Sequence, residues 1–307
     1  MSPKSHTGQL HAPLKAMGLG ALAYSLWPLH DTVIKLLTSH YPFTQILFFA
    51  RLLSVPVALW LIVSRQGFSG LKPVRPWLHA GRAAFSLVDM LCFVSAIALT
   101  SLANAITISF ATPLIMTALS VIFLGEKVSW KHWLAVAAGF LGVVIVFQPS
   151  AAGFGIASFY ALGSACAYAV FLILTRVMTK TESVASMMFW NSSIMMVIMG
   201  VAMLPHWKTP VGHDIWLFLY LTVSGTLAQW ITTTAFRYGE ASLLAPMQYT
   251  ALIWAAIAGY LVFGDVPSPM LWVGAAVIIG ATLYIVEGEA RSRRRLKAEQ
   301  ATTPLDT

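Results

Sequence analysis

Long apolar runs follow one another along this chain, and they constrain its fold more than any other feature. Each run approaches the roughly 20 residues that an α-helix needs to cross about 30 Å of hydrocarbon. Hydrophobic residues make up 58% of the 307 and charged residues 10%, with a mean hydropathy of +0.76. Because a soluble domain is about one quarter charged, so few charges cannot cover a surface exposed to water. The sequence therefore predicts an all-α integral membrane protein.

Ten apolar runs are separated by short connections that leave no room for a soluble domain. The predicted spans are residues 15–37, 43–64, 77–99, 103–124, 131–148, 154–175, 184–204, 215–235, 241–263 and 270–287. The predicted divisions are a cytoplasmic N-terminal segment at 1–14, a first five-helix half at 15–148, a second at 149–287 and a basic cytoplasmic tail at 288–307. Because the first residues are polar and the first run is long enough to stay in the membrane, no secretory signal peptide is predicted.

The positive charges test this topology. With a cytoplasmic N-terminus, fifteen of the 19 Lys and Arg residues fall in predicted cytoplasmic segments, and Lys208 alone falls in a predicted external loop. The other three, Lys35, Arg51 and Arg82, lie within or at the ends of predicted helices. This asymmetry is the one that the positive-inside rule describes, so both termini are predicted in the cytoplasm. It also explains the net charge of +8 without a nucleic-acid partner.

Two segments of the chain, beginning at Ala103 and Ser242, resemble each other. Each is a long apolar run, a glycine followed by an acidic residue, and a shorter run rich in small residues. A shift of 139 residues, from 126 to 265, aligns Gly125 with Gly264, Glu126 with Asp265, Ser129 with Ser268 and Trp133 with Trp272. Because each half has an odd number of predicted helices, the second half enters the membrane from the opposite side. Inverted repeats of this kind are typical of secondary transporters.

The pattern Pro…LGE-K-x-S…G-x-x-G-V at 113–143, with ten helices in two halves, resembles the EamA branch of the drug/metabolite transporter superfamily. The resemblance covers about residues 15–287. Within the branch, the chain looks closest to carriers similar to bacterial S-adenosylmethionine uptake proteins. That closer likeness rests on Asp31, Lys35, the FFAR sequence ending at Arg51, Arg82, and AF…APMQY at 235–249. Where a basic residue is expected in the APxxY segment, this chain has Gln248, which weakens the case for any particular charged ligand.

The resemblance implies a secondary transporter of the bacterial cytoplasmic (inner) membrane that works by alternating access. The implied substrate is a small organic metabolite that is S-adenosylmethionine-like, riboflavin-like or amino-acid-derived, with membrane lipids around the protein. Proton coupling, transport direction, and a monomeric or homodimeric state stay open, and neither cofactor nor metal is expected. The alternatives are a membrane sensor or scaffold, and a membrane-embedded enzyme. An enzyme is disfavoured because HExxH, GxSxG and phosphate-binding glycine motifs are absent from the sequence.

Ionisable groups at membrane depth mark a pathway or a structural pair, and two predicted helices of the first half carry them. In the first helix, Trp27, Asp31 and Lys35 recur every four residues on one face, so Asp31 is predicted to pair with Lys35. Pro28 predicts a bend near mid-membrane. The group is interpreted either as a substrate or proton site or as a structural ion pair.

In the third predicted helix, Arg82, Ser86 and Asp89 share one face. Arg82 is predicted at the cytoplasmic boundary as an anchor. Asp89 lies about two turns deeper and needs a partner, for which Arg51 in the second helix is the candidate. Asp31 and Asp89 are the candidate coupling residues, because a desolvated carboxylate can bind and release protons.

The second half offers mainly neutral candidates at membrane depth. Aromatic rings and amides suit a ring-bearing substrate that can stack and accept hydrogen bonds, although packing explains any single one equally well. The predicted substrate contacts in this half are Tyr168, Trp190, Asn191, Gln229, Gln248 and Tyr249. Glu126 and Asp265 are interpreted as turn and capping residues. Pro113 and Pro246 are predicted helix breakers, and Cys92 and Cys166 are predicted to pack as free thiols.

Overall fold

The computed structural model describes residues 12–99, 108–109, 111–126, 128–147 and 156–264, with isolated positions between 273 and 284. Every regular element in these residues is a helix. Several predicted features lie wholly or mostly outside the described residues: the N-terminal segment at 1–14, the start of the fourth span, Asp265, the tenth span at 270–287, and the tail at 288–307.

Eleven α-helices, numbered in chain order, run through the described residues. They are α1 Pro13–Thr38, α2 Phe43–Leu52, α3 Ser54–Gln66, α4 Pro76–Leu99, α5 Thr112–Leu124, α6 Trp130–Phe147, α7 Ile156–Met178, α8 Val184–Met203, α9 Asp214–Tyr238, α10 Ala241–Leu244 and α11 Thr250–Phe263. Three 3₁₀ segments complete them: Phe68–Leu71, Leu204–His206 and Ala245–Tyr249. The helix bounds agree with the first, third and sixth to eighth predicted spans to within a few residues.

Six helical stretches of the described chain are long and apolar enough to cross a membrane. They are Phe43–Gln66, Pro76–Ala96, Ile156–Met178, Val184–His206, Asp214–Tyr238 and Ala241–Phe263. Large apolar side chains on their outer surfaces, such as Trp60, Phe159 and Leu261, are exposed. An apolar exterior of this kind fits lipid rather than water. The prediction of an all-helical membrane protein is confirmed at this level.

The two aligned glycines end their helices in the same way. Gly125 follows α5 with φ 65° and ψ 23°, and Gly264 follows α11 with φ 71° and ψ 13°. This left-handed conformation is favourable for glycine and ends a helix after its last turn. The local likeness predicted for the two segments therefore extends to their backbone geometry.

The two predicted breakers behave differently. Pro246 lies in the 3₁₀ segment Ala245–Tyr249, which divides the ninth predicted span into α10 and α11. Pro113 lies in the first turn of α5, where a missing N–H costs nothing. The predicted break is therefore found at Pro246, whereas Pro113 begins a helix.

Helices of the first half pack mainly against helices of the second. The most extensive contacts join α4 to α7, α1 to α9 and α2 to α8. We call one end of the bundle the Lys208 end, formed by the connections at 39–42 and 204–213, because Lys208 N and Gln45 Oε1 meet there at 2.9 Å. The opposite end, with connections 67–75 and 179–183, is the Glu182 end. Polar side chains between paired helices therefore come from both halves.

Candidate functional site

Asp89 lies at the centre of a group of charged side chains inside the bundle. Ser164 on α7 donates a 2.7 Å hydrogen bond from Oγ to Asp89 Oδ1. Asp89 also interacts electrostatically with Arg51 on α2 and with Asp31 on α1. Arg51 and Asp89 form no direct ion pair within the described residues, so their predicted pairing stays a prediction.

Asp31 is accessible even though its electrostatic neighbours, Asp89 and Tyr168, come from two other helices. Its carboxylate therefore faces the interior of the bundle. The predicted ion pair with Lys35 is wrong for this structure, because the Lys35 ammonium lies 4.0 Å from the centre of the Phe263 ring on α11. A long lysine side chain can leave its own helix to reach an aromatic face. In the described part of the chain, no hydrogen-bond donor contacts the Asp31 carboxylate.

Arg82 is a correction to the sequence interpretation. It is fully buried, and Nε donates to Thr175 Oγ1 and Nη1 to the Met187 carbonyl oxygen, each at 2.8 Å. Its guanidinium carbon lies 4.4 Å from the centre of the Phe171 ring. Arg82 thus joins α4 to α7 and α8 and interacts electrostatically with Arg51, instead of anchoring a boundary. The prediction was wrong because it judged the depth of Arg82 from its distance to the start of the helix. In the structure, the connection at 67–75 and Glu182 cover that end of α4, and Arg82 is buried.

Helix α1 contributes two further side chains, Trp27 and His30, and no role was predicted for His30. Trp27 Nε1 donates to Thr232 Oγ1 at 3.2 Å, and His30 Nδ1 lies 3.0 Å from Ser224 Oγ. The two rings meet edge to face, with centroids 5.4 Å apart. Gly225 makes this approach possible, since a Cβ there would lie 2.8 Å from His30 Cε1. A histidine at membrane depth in the first predicted span was the available signal.

Tyr168 is the neutral second-half candidate that joins the charged group. It interacts electrostatically with Asp31, with Asp89 and with Tyr24, a buried residue of α1 that the sequence analysis missed. Tyr168 thus supplies an aromatic surface near both carboxylates, and Tyr24 packs in a cluster with Trp27. Tyr168 is the part of the predicted aromatic set that the structure brings together with charge.

The other predicted contacts lie elsewhere. Tyr249 is fully buried, donates to the Val136 carbonyl oxygen at 3.0 Å and packs where Gly139 leaves room. Gln229 Nε2 donates to Thr233 Oγ1 at 3.1 Å on its own helix. Gln248 Nε2 lies 3.7 Å from Met116 Sδ. These residues take part in packing.

Trp190 and Asn191 lie together on α8. Trp190 Nε1 donates to the Leu71 carbonyl oxygen at 3.2 Å, which puts the indole near the Glu182 end rather than at mid-membrane. Asn191 is buried, and within the described residues its amide oxygen and nitrogen have no hydrogen-bond partner.

Glu126 confirms its predicted capping role, in an unexpected place. Its Oε1 accepts a 3.0 Å hydrogen bond from Ala241 N, and its Oε2 accepts bonds from Ser242 N at 3.0 Å and Ser242 Oγ at 2.8 Å. These backbone donors begin α10, so Glu126 caps a helix of the other half. Arg176 Nε lies 3.9 Å from the same carboxylate.

An all-helical membrane protein with carboxylates, arginines and aromatic rings collected between its helices has the features of a solute transporter. The EamA-like transporter family matches the chain twice, over residues 14–148 and 155–287, and the chain belongs to this family. Membership places it among membrane transporters rather than enzymes, as the sequence analysis expected.

Two relatives show the range of the family. The chain is 30% identical over 263 residues to an S-adenosylmethionine uptake transporter of Rickettsia bellii, with 86% of this chain and 90% of that protein covered. It is 29% identical over 248 residues to a riboflavin transporter of Rhizobium johnstonii, with 80% of each covered. A solved crystal structure at 17% identity has a TM-score of 0.73 and covers 90% of this chain and 96% of the other, which supports the fold alone.

Proposed function

We propose that this chain is a ten-helix secondary transporter whose two inverted halves carry a small organic metabolite across a bacterial cytoplasmic membrane by alternating access. The two consecutive family matches and the pairing of α1 with α9 and α4 with α7 support the repeat. The Glu182 end is the proposed cytoplasmic end, with both termini on that side. This orientation rests on the positive charges of the connections, which the positive-inside rule assigns to the cytoplasm.

The observation that carries the proposed site is the accessible Asp31 carboxylate beside Asp89. Two carboxylates near each other repel, so a positive group between them is stabilised. Trp27 and Tyr168 add aromatic surfaces that attract cations and stack with rings. Arg51, which interacts electrostatically with Asp89, offers a guanidinium for an anionic group.

This charge arrangement favours one of the two substrate types found among the relatives. S-adenosylmethionine carries a sulfonium, an ammonium, a carboxylate and an aromatic base, and each has a counterpart among Asp31, Asp89, Arg51 and the rings. Riboflavin is uncharged, so it has no cationic group that two carboxylates would stabilise. We therefore propose an S-adenosylmethionine-like organic cation as the substrate, with protons as the candidate coupling ion bound at Asp31.

Transport by purified protein in lipid vesicles tests the proposal. S-adenosylmethionine and S-adenosylhomocysteine form a matched pair, because they differ by one methyl group and the sulfonium charge. We expect S-adenosylmethionine to enter faster than its uncharged-sulfur analogue and faster than riboflavin, and a pH gradient to drive its accumulation. Riboflavin uptake without S-adenosylmethionine uptake would refute the charge argument and leave a transporter. Failure of all three with folded protein would favour the sensor alternative.

A further inference from the structure

Glu182 fastens the second half to the first at the Glu182 end. It lies in the connection between α7 and α8, and its Oε1 accepts hydrogen bonds from Val74 N at 2.8 Å and Arg75 N at 3.3 Å. The same oxygen lies 3.1 Å from His79 Nε2. The carboxylate is buried, so these bonds are shielded from solvent. The connection between α3 and α4 is thereby held against the connection between α7 and α8.

Gln45 fastens the first half to the second at the Lys208 end. It lies in the first turn of α2, directly after the connection from α1. Its Nε2 donates to the Lys208 carbonyl oxygen at 2.6 Å and its Oε1 accepts from Lys208 N at 2.9 Å. Gln45 is fully buried. Nearby, Tyr41 donates to Asp214 Oδ2 at 2.9 Å, and burial raises the pKa of its hydroxyl, which keeps this donor protonated.

These two contacts occupy corresponding places in the two halves. In each half, a side chain at the junction of the first and second membrane spans binds backbone groups in the other half, in the connection between its second and third spans. Helices α2 and α3 count here as one span, Phe43–Gln66. Gln45 does this with Lys208, and Glu182 does it with Val74 and Arg75. Inverted repeats would put such equivalent contacts at opposite ends of the bundle, which is where they lie.

We propose that Gln45 and Glu182 are the gating residues of the transport cycle, each closing one end of the pathway. This inference rests on the proposed alternating-access function. Both contacts are made in the present structure, so both latches are closed in it. Opening towards the Lys208 end requires release of Gln45, and opening towards the Glu182 end requires release of Glu182. A packed bundle favours discrete closed and open states over intermediate ones, so each contact acts as a latch.

The two latches differ in chemistry. Gln45 makes one donor and one acceptor bond with the backbone of a single residue, Lys208, so loss of its amide leaves both backbone groups for water to satisfy. The Glu182 carboxylate accepts two backbone N–H bonds, and charge-assisted bonds are stronger than neutral ones. Release at the Glu182 end is therefore expected to be the more costly of the two openings.

Sided labelling of one cysteine tests this assignment. With Cys92 and Cys166 replaced by Ala, a cysteine at Ser86 reports access to the α4 face that carries Arg82 and Asp89. An impermeant thiol reagent is applied to right-side-out and to inside-out vesicles. Removing two hydrogen bonds shifts the balance of states by about 5- to 150-fold.

Gln45→Ala should raise labelling from the Lys208 end alone, and Glu182→Ala from the Glu182 end alone, with Glu182→Gln intermediate. Ser39→Ala and Ser69→Ala are matched controls, since their hydroxyls bond within their own segments, to Leu36 and Gln66 carbonyl oxygens. Equal increases at both ends, or no change in folded protein, would overturn the gating roles. Since labelling needs no substrate, a wrong substrate assignment leaves this result intact.

Discussion

Two interfaces join the halves in similar ways but differ in charge. At the α4–α7 interface, Arg82 donates to Thr175 and Ser164 donates to Asp89. Both bonds involve an ionisable residue of α4 and a hydroxyl of α7. The buried guanidinium and the half-buried carboxylate keep charge inside the bundle.

At the α1–α9 interface, the hydrogen bonds are those of neutral or aromatic groups. Trp27 donates to Thr232, and His30 contacts Ser224 beside Gly225. The same pairing of one helix from each half therefore serves two purposes. The charged interface shapes the electrostatics of the site, and the neutral one depends on close packing.

The largest expected effect comes from Asp31, which borders both interfaces. Asp31→Asn should lower S-adenosylmethionine uptake by roughly 30-fold or more, because removing one partner of a charge interaction costs about 2–5 kcal/mol. It should also abolish accumulation driven by a pH gradient while substrate exchange persists. Initial rates and counterflow in vesicles separate the two. Undiminished uphill transport would eliminate Asp31 from coupling and point to Asp89.

Arg82→Leu should reduce thermal stability next most strongly. It removes two charge-assisted hydrogen bonds, each contributing about 1.5–3 kcal/mol. Trp27→Phe, which removes one neutral bond from the other interface, is the comparison and should cost about 1 kcal/mol. Unfolding monitored in detergent checks the order. Equal losses would contradict the distinction between charged and neutral interfaces.

Alanine substitution of one glycine at each interface should have a smaller effect, and here the neutral α1–α9 interface should be the more sensitive of the two. Gly225→Ala should destabilise by about 1–3 kcal/mol, because the new Cβ would lie 2.8 Å from His30 Cε1 and 3.3 Å from the Ala50 carbonyl oxygen. Gly163→Ala on α7 should be tolerated, since the nearest atom is Cys92 Sγ at 3.4 Å. The folded yield of the two variants measures the difference. A tolerated Gly225→Ala would mean that the neutral interface is not tightly packed.

The smallest effect is expected at Tyr249. Tyr249→Phe loses the hydrogen bond to Val136 and should cost about 0.5–1.5 kcal/mol of stability without changing the substrate concentration for half-maximal transport. Tyr168→Phe, beside the carboxylates, should instead change that concentration. If Tyr249→Phe also changed it, the assignment of Tyr249 to packing would be wrong.

The sequence predicted well what depends on length and local chemistry. Apolar runs and breakers located most helices, and a glycine followed by an acid identified the Glu126 cap. The position of Asp89 inside a predicted span led to Arg51 as its predicted partner, and the two groups interact electrostatically in the structure. These inferences need only helical period and the cost of charge in lipid.

The sequence did not predict what depends on how helices rotate and how deeply connections fold over them. Arg82 is six residues from the start of α4, yet Glu182 and the Val74–Arg75 backbone cover that helix end. Asp31 is one helical turn from Lys35, yet the Lys35 ammonium lies over the Phe263 ring of α11 instead. Trp190 donates to the Leu71 carbonyl oxygen, and Leu71 lies in a connection whose path cannot be predicted from helical periodicity.

The Glu126 cap has a consequence for biosynthesis. Its carboxylate precedes its first partner, Ala241, by 115 residues, so translation delivers the acceptor to the membrane well before the donors. When the first turn of α10 enters the bilayer, the Glu126 carboxylate is therefore already present to accept hydrogen bonds from its free N–H groups. A short, proline-interrupted segment can in this way be inserted without an unsatisfied end in lipid. A ribosome that released only residues 149–307 would produce a half lacking this partner, and co-expression of residues 1–148 should restore its accumulation.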